Sequence, residues 1–150
     1  MNITHGIPVA PGIAIAPAFV LDQTRERIAR DRVAPEACQE EVEALNRAIA
    51  AAVESVQADR HRVEQDLSPE AAQIFDVHLG LLRDDALLQP VRDRILSDGV
   101  TAAWAVSDAF HRLAEQFRSM GSAVFRDKAR DILDLERRVL DELLGRTRAR

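Results

Sequence analysis

The chain has 150 residues, 47% of them apolar and 30% charged, with 25 acids against 20 lysines and arginines and a net charge of −5. Such a length and balance suit one soluble globular domain with a sizeable core and exclude a disordered chain. The acidic excess speaks against nucleic-acid binding, which needs a basic face to displace counterions, and a single cysteine, Cys38, leaves no intramolecular disulfide and no thiolate cluster for zinc.

Residues 1–24 differ from everything after them. Gly6, Pro8, Pro11 and Gly12 are turn formers, and the apolar stretches 13–16 and 18–21 read as short strands. Pro17 between them restricts pairing to an edge or a bulge. Two such strands make no stable sheet alone, so they are expected to be part of something larger. Their unpaired edges would also offer a route to a homodimer. No basic stretch followed by an apolar run opens the chain, and no apolar run is long enough to span a bilayer, which points to a cytoplasmic protein without a membrane partner.

A charged connector, Arg25 to Arg32, leads to Pro35, placed as a first helical residue with Glu36, Glu40 and Glu41 near the positive end of the helix dipole. Cys38, Val42, Leu45, Ile49, Ala52, Val56, Val63 and Leu67 then form one stripe of a long helix. Ser68-Pro69-Glu70 is a second start signal, a hydroxyl cap followed by proline and an acid. The run from Ala71 to Leu82 carries too many apolar residues for one narrow stripe, so it is buried on several sides or exposes apolar surface. Asp84-Asp85 begins a further helix that ends near Gly99 and should kink at Pro90. Thr101 caps the next, whose Ala103, Val106, Phe110, Leu113, Phe117 and Met120 give the cleanest amphipathic pattern, and Gly121 stops it. A last helix carries Phe125, Ala129, Ile132, Leu135, Val139 and Leu143 before Gly145. The expected fold is all-α: a four-helix hairpin bundle of long, kinked helices over residues 30–145, a strand-forming segment at 1–24 and a tail at 146–150.

Catalytic chemistry is hard to find in these residues. Gly6 and Gly12 lack the spacing and the lysine of a phosphate-binding loop. His5, His61, His78 and His111 are far apart and show no metal-ligand spacing. None has a glutamate three residues before it, as a helical-bundle metal site would require. The many acids are expected on the solvated faces of amphipathic helices, and no serine or cysteine has a recognisable base. His78 alone stands inside an apolar stretch, 74–82. Periodicity favours a partly buried, hydrogen-bonded histidine there, and the sharper alternative is a polar group at the centre of an apolar docking patch.

That stretch also carries a likeness. Ile74-Phe75, His78, Leu81-Leu82, Asp84 and Leu87 resemble the N-terminal region of the enzyme I family of the phosphoenolpyruvate–sugar phosphotransferase system. So do Gly6-Ile7 to Ala14, and Ala129-Arg130-Asp131-Ile132 to Asp134 with Arg137-Arg138. The resemblance covers essentially the whole chain and implies a helical subdomain that docks the phosphocarrier protein HPr, preceded by strands of the adjoining α/β phosphohistidine subdomain. It implies docking residues Glu70, His78, Leu81, Asp84, Asp85, Leu87 and Lys128. It further implies that the phosphorylated histidine and the magnesium-dependent phosphoenolpyruvate barrel of the full-length enzyme lie outside these 150 residues, so that the chain alone holds no catalytic residue, no metal and no cofactor, and does not bind phosphoenolpyruvate. Pro69, Gly80 and Ala86 depart from the family pattern, where acids or a bulky methionine occur, so HPr of the sugar branch and its nitrogen-related paralogue both remain as partners, beside the rest of enzyme I. The competing expectation is a non-catalytic helical scaffold, with the His78 region as plain core.

Overall fold

A computed structural model describes residues 28–146. The strand segment expected at 1–24, with any pairing through it, therefore falls outside the described residues, as does the tail beyond 146.

The first described residues run alongside a later turn. Arg32 forms an antiparallel bridge with Val100, Val33 N–H donates to the Gly99 carbonyl at 2.9 Å, and Thr101 N–H donates to the Asp31 carbonyl at 3.2 Å. Gly99 makes this approach possible. It sits at φ 61°, and a side chain there would stand 3.3 Å from the Val33 carbonyl oxygen. Arg30 of the same segment and Arg94 both stack on the Trp104 ring, their guanidinium carbons 4.8 and 5.1 Å from its centroid, and both pair with Asp98.

Pro35–Ala37 form a single 3-10 turn, and only then does helix α1, Cys38–Asp66, begin. The first turn tightens where amide donors have no partner behind them, as helix ends often do. Cys38, Val42, Leu45, Ile49, Ala52 and Val56 are buried along one stripe, as their spacing predicts. The stripe then fails: Val63 is half-buried and Leu67 is 74% exposed. Leu67 is the C-cap, at φ −123° and ψ −84°, so its side chain has left the helical face.

The run after Ser68 forms two helices, α2 (Pro69–Ala72) and α3 (Ile74–Leu82). The break is a change of hydrogen-bond step, since Gln73 N–H reaches back three residues to Glu70 and Asp76 N–H three residues to Gln73. Helix α4, Asp85–Asp98, passes through Pro90, and α5, Ala102–Ser119, and α6, Ala123–Leu143, complete the fold. Ser68, Asp84, Thr101 and Ser122 each accept a backbone N–H at a helix start. The start of α5 has a second acceptor from far away in sequence, the Glu41 carboxylate of α1, 2.7 Å from Ala102 N.

The architecture is the expected helical bundle. Helices α5 and α6 form a hairpin with the most extensive packing in the fold, α1 lies against α6 and against α2–α3, and α4 covers α5. Leu45, Val56, Leu82, Ile95, Val106, Phe110, Ile132, Leu135 and Val139 are fully enclosed in one core. Among the described residues one acid is not on a solvated face. Glu136 is buried in the hairpin, where it accepts from Ser107 Oγ at 2.7 Å and lies 3.3 Å from His111 Nδ1, so tertiary packing overrides the local expectation for that carboxylate.

Candidate functional site

Helix α3 turns Leu79 and Leu82 into the core and leaves its other side towards solvent. Phe75 and Leu81 are half-buried, while Ile74 is 46% and Val77 48% exposed. The surplus of apolar residues in this stretch therefore becomes apolar surface. Arg60 of α1 pins the helix from outside, meeting Asp76 at 2.8 Å and Glu64 at 3.0 Å. The Asp76 carboxylate, hydrogen-bonded and close by, raises the Arg60 pKa further.

His78 is the chemical centre of the helix. Its ring is half-buried and meets the Phe75 ring edge-on, at 5.9 Å between centroids and 87° between planes. Its Nε2 is enclosed and has no hydrogen-bond partner among the described residues. Burial lowers the imidazole pKa from its ordinary value, Asp131 opposes the shift, Arg138 and Lys128 add to it, and Asp134 opposes it again. All four of these charges come from α6. The ring is consequently held neutral near pH 7, with its enclosed Nε2 left unpartnered.

Lys128 thus shares the neighbourhood of His78, half-buried and 3.7 Å from Asp131. One turn earlier on α6, Phe125 remains 37% exposed although it makes an edge contact with Phe117, 6.0 Å between centroids. The sequence pattern counts Phe125 with the buried stripe of the last helix. Its place in the first turn after the Ser122 cap is what brings it to the surface.

At the corner between α3 and α4, Asp84 is exposed and caps α4 through Ala86 N at 2.9 Å. Asp85 is exposed and 3.5 Å from Arg92, and Leu87 is half-buried against the core. Glu70 stands apart. It lies in the first turn of α2, before the break at Gln73 that separates α2 from α3. Its own backbone N–H and the Ser68 hydroxyl both donate to its carboxylate and lower its pKa. The structure therefore gathers His78 and Leu81 with Lys128, sets Asp84, Asp85 and Leu87 at the adjoining corner, and leaves Glu70 at the far end of the stretch. Among the described residues no three His, Cys, Asp or Glu side chains gather as a metal site, and no described helix is long and apolar enough to cross a membrane.

Known proteins share this architecture. The chain matches the family described as PEP-utilising enzyme, N-terminal, over residues 5–128. It is 33% identical over 144 residues to the phosphoenolpyruvate-protein phosphotransferase of Staphylococcus aureus, across 96% of this chain and 25% of that protein. To the protein of the same name from Bacillus subtilis (strain 168) it is 31% identical over 145 residues, across 97% of this chain and 25% of the relative. It spans about a quarter of the length of these curated relatives. Among solved structures, the NMR solution structure of Enzyme I (nEIt) superposes with a TM-score of 0.74 at 25% identity, covering 79% of this chain and 48% of the other. The N-terminal domain of Enzyme 1 - Nitrogen gives the same TM-score and identity over 83% of this chain and 51% of its own. The chain belongs to the PEP-utilising enzyme, N-terminal, family.

Proposed function

We propose that this chain is the carrier-docking part of a cytoplasmic enzyme I. In the relay, a phosphoryl group passes from phosphoenolpyruvate to a histidine of enzyme I and on to a histidine of HPr or its nitrogen-related paralogue. The chain's part is to seat the carrier. The phosphorylatable histidine and the magnesium-dependent chemistry belong to other parts of the enzyme, and the chain alone neither binds nor turns over phosphoenolpyruvate.

The observation that carries the proposal is the surface of α3. Ile74 and Val77 leave apolar area open beside a half-buried His78 whose Nε2 lacks a partner, with Leu81 and Leu87 behind them and Asp84 and Asp85 at the corner. An apolar centre with an acidic border suits a modest interface that a basic partner finds by electrostatic steering and leaves quickly, as a relay demands. Lys128 on α6 adds a charge beside His78, and Glu70 serves as an outlying acid for long-range steering.

The test is a titration of HPr into the isotope-labelled chain. Shifts concentrated between Glu70 and Leu88 are expected, and Leu81→Ala should weaken binding by about 1–3 kcal/mol while keeping the helical content. Absence of shifts along this stretch would leave the chain a non-catalytic scaffold.

A further inference from the structure

Residues 28–33 reach α1 as a strap laid across the turn between α4 and α5. An isolated bridge between Arg32 and Val100 holds it there, with the Val33 N–H on the Gly99 carbonyl and the Thr101 N–H on the Asp31 carbonyl. Residues 29–32 are exposed, and Val33 packs half-buried against the core. Backbone hydrogen bonds so open to water, with so little apolar surface buried around them, place the strap at the low end of local stability. Helix α1 does not depend on it. Ala34 is extended, at φ −63° and ψ 146°, and Pro35 then opens the first helical turn with no amide of its own to lose. The strap can leave without unwinding the helix behind it.

The two guanidinium groups stacked on Trp104 are held unequally. Arg94 lies 2.7 Å from Asp108 and 3.3 Å from Asp98, and its side chain is 32% exposed. Arg30 reaches Asp98 alone of these two acids, at 3.6 Å, and is 54% exposed. An exposed pair of that length holds weakly and is screened by salt, and an exposed stack of a cation on an indole adds only modestly to it. Arg94 therefore belongs to the bundle, while Arg30 is the half of the sandwich that water can replace. Behind the strap, Ile28 and Asp31 share a cleft of about 450 Å³ with Glu41 of α1, Thr101, and Leu143 and Leu144 near the end of α6.

We infer that residues 28–33 form a clasp that opens while the helices stay folded, with Arg30 as its releasable pin and Trp104 and Arg94 as its fixed seat. In the closed form the chain enters the bundle across the α4–α5 turn. In the open form the entry swings about Ala34 and uncovers the cleft beside Glu41. Screening of Asp98 frees Arg30 first, because Arg94 keeps Asp108. No carrier is involved, so the clasp stands or falls apart from the docking function.

The experiment is amide hydrogen exchange on the full 150-residue chain and its Arg30→Gln variant, at about 0.05 M and about 0.5 M salt. The Val33 and Thr101 amides report on the strap, and those of Phe110 and Ile132 on the core. In wild type both strap amides should be protected yet exchange faster than the core, with little response to low urea, since a local opening exposes little surface. Arg30→Gln should speed them about fivefold or more, the worth of an exposed stack and ion pair together, and leave the core amides unchanged. Higher salt should speed them in wild type and not in the variant, which has no pin to screen. Exchange of Val33 and Thr101 together with the core, at the same urea dependence, overturns the clasp. So does an unchanged rate in Arg30→Gln, while unprotected strap amides in wild type would mean that no clasp closes. Should the variant lose cooperative melting, the wild-type salt response decides, and a flat one overturns the inference.

Discussion

Replacing His78 by leucine should make the free domain more stable and the docking surface worse. An enclosed polar atom without a partner costs about 1–3 kcal/mol, and His78 Nε2 is such an atom. Only one ring nitrogen is orphaned and the ring is half-buried, so the lower end applies, about 1 kcal/mol of gain or ~2–4 °C in melting temperature. The gain has a pH signature. Burial lowers the imidazole pKa in the folded chain, so protons prefer the unfolded chain, whose value is about 6.5. The stability that the neutral ring permits is fully present above that value and is lost as the pH falls through the lower folded pKa. Leucine cannot titrate, so the advantage of His78→Leu should widen between pH 8 and pH 5. Urea unfolding at several pH values measures it, with HPr affinity read on the same samples. A variant less stable than wild type at pH 8, or an advantage that shrinks on acidification, would refute the assignment of His78 as a strained group held for docking.

The remaining expectations concern charge and core. Asp84→Asn with Asp85→Asn should slow HPr association and flatten its salt dependence, because screened border charges act on encounter more than on the docked state. Stopped-flow rates at two ionic strengths check this, and melting should change by less than about 0.5 kcal/mol since asparagine caps a helix as well as aspartate does. Phe110→Ala should cost about 3–5 kcal/mol in urea unfolding, because the ring is fully enclosed and no neighbour can fill its space cheaply. A loss below about 1 kcal/mol would mean that α4 and α6 close over the gap.

The helices were legible in the sequence because their signals are local. Ser68, Asp84 and Thr101 announce helix starts by their own side chains, and the Cys38–Val42–Leu45–Ile49 stripe needs only the helical period. What escaped depends on neighbours distant in the chain or on small changes of backbone step. The Glu41 cap on Ala102 spans 61 residues, and Glu136 is buried because Ser107 and His111 happen to face it across the hairpin. The division between α2 and α3 at Gln73 has no glycine or proline to mark it. Part of the candidate surface was likewise visible as an excess of apolar residues around His78. That Nε2 has no partner, that four charges of α6 act on the ring and that Phe125 reaches the surface all come from how α6 is laid down, which no pattern within 74–82 contains.

Trp104 is the only tryptophan in the chain, and its position between Arg30 and Arg94 makes it a native optical probe. Indole emission responds to adjacent cations, so its intensity and colour report whether the segment around Arg30 is seated against the start of α5. Nothing has to be attached to the protein to read this. A selective emission change on raising salt, with far-ultraviolet dichroism unchanged, would time the release of that segment separately from the melting of the bundle.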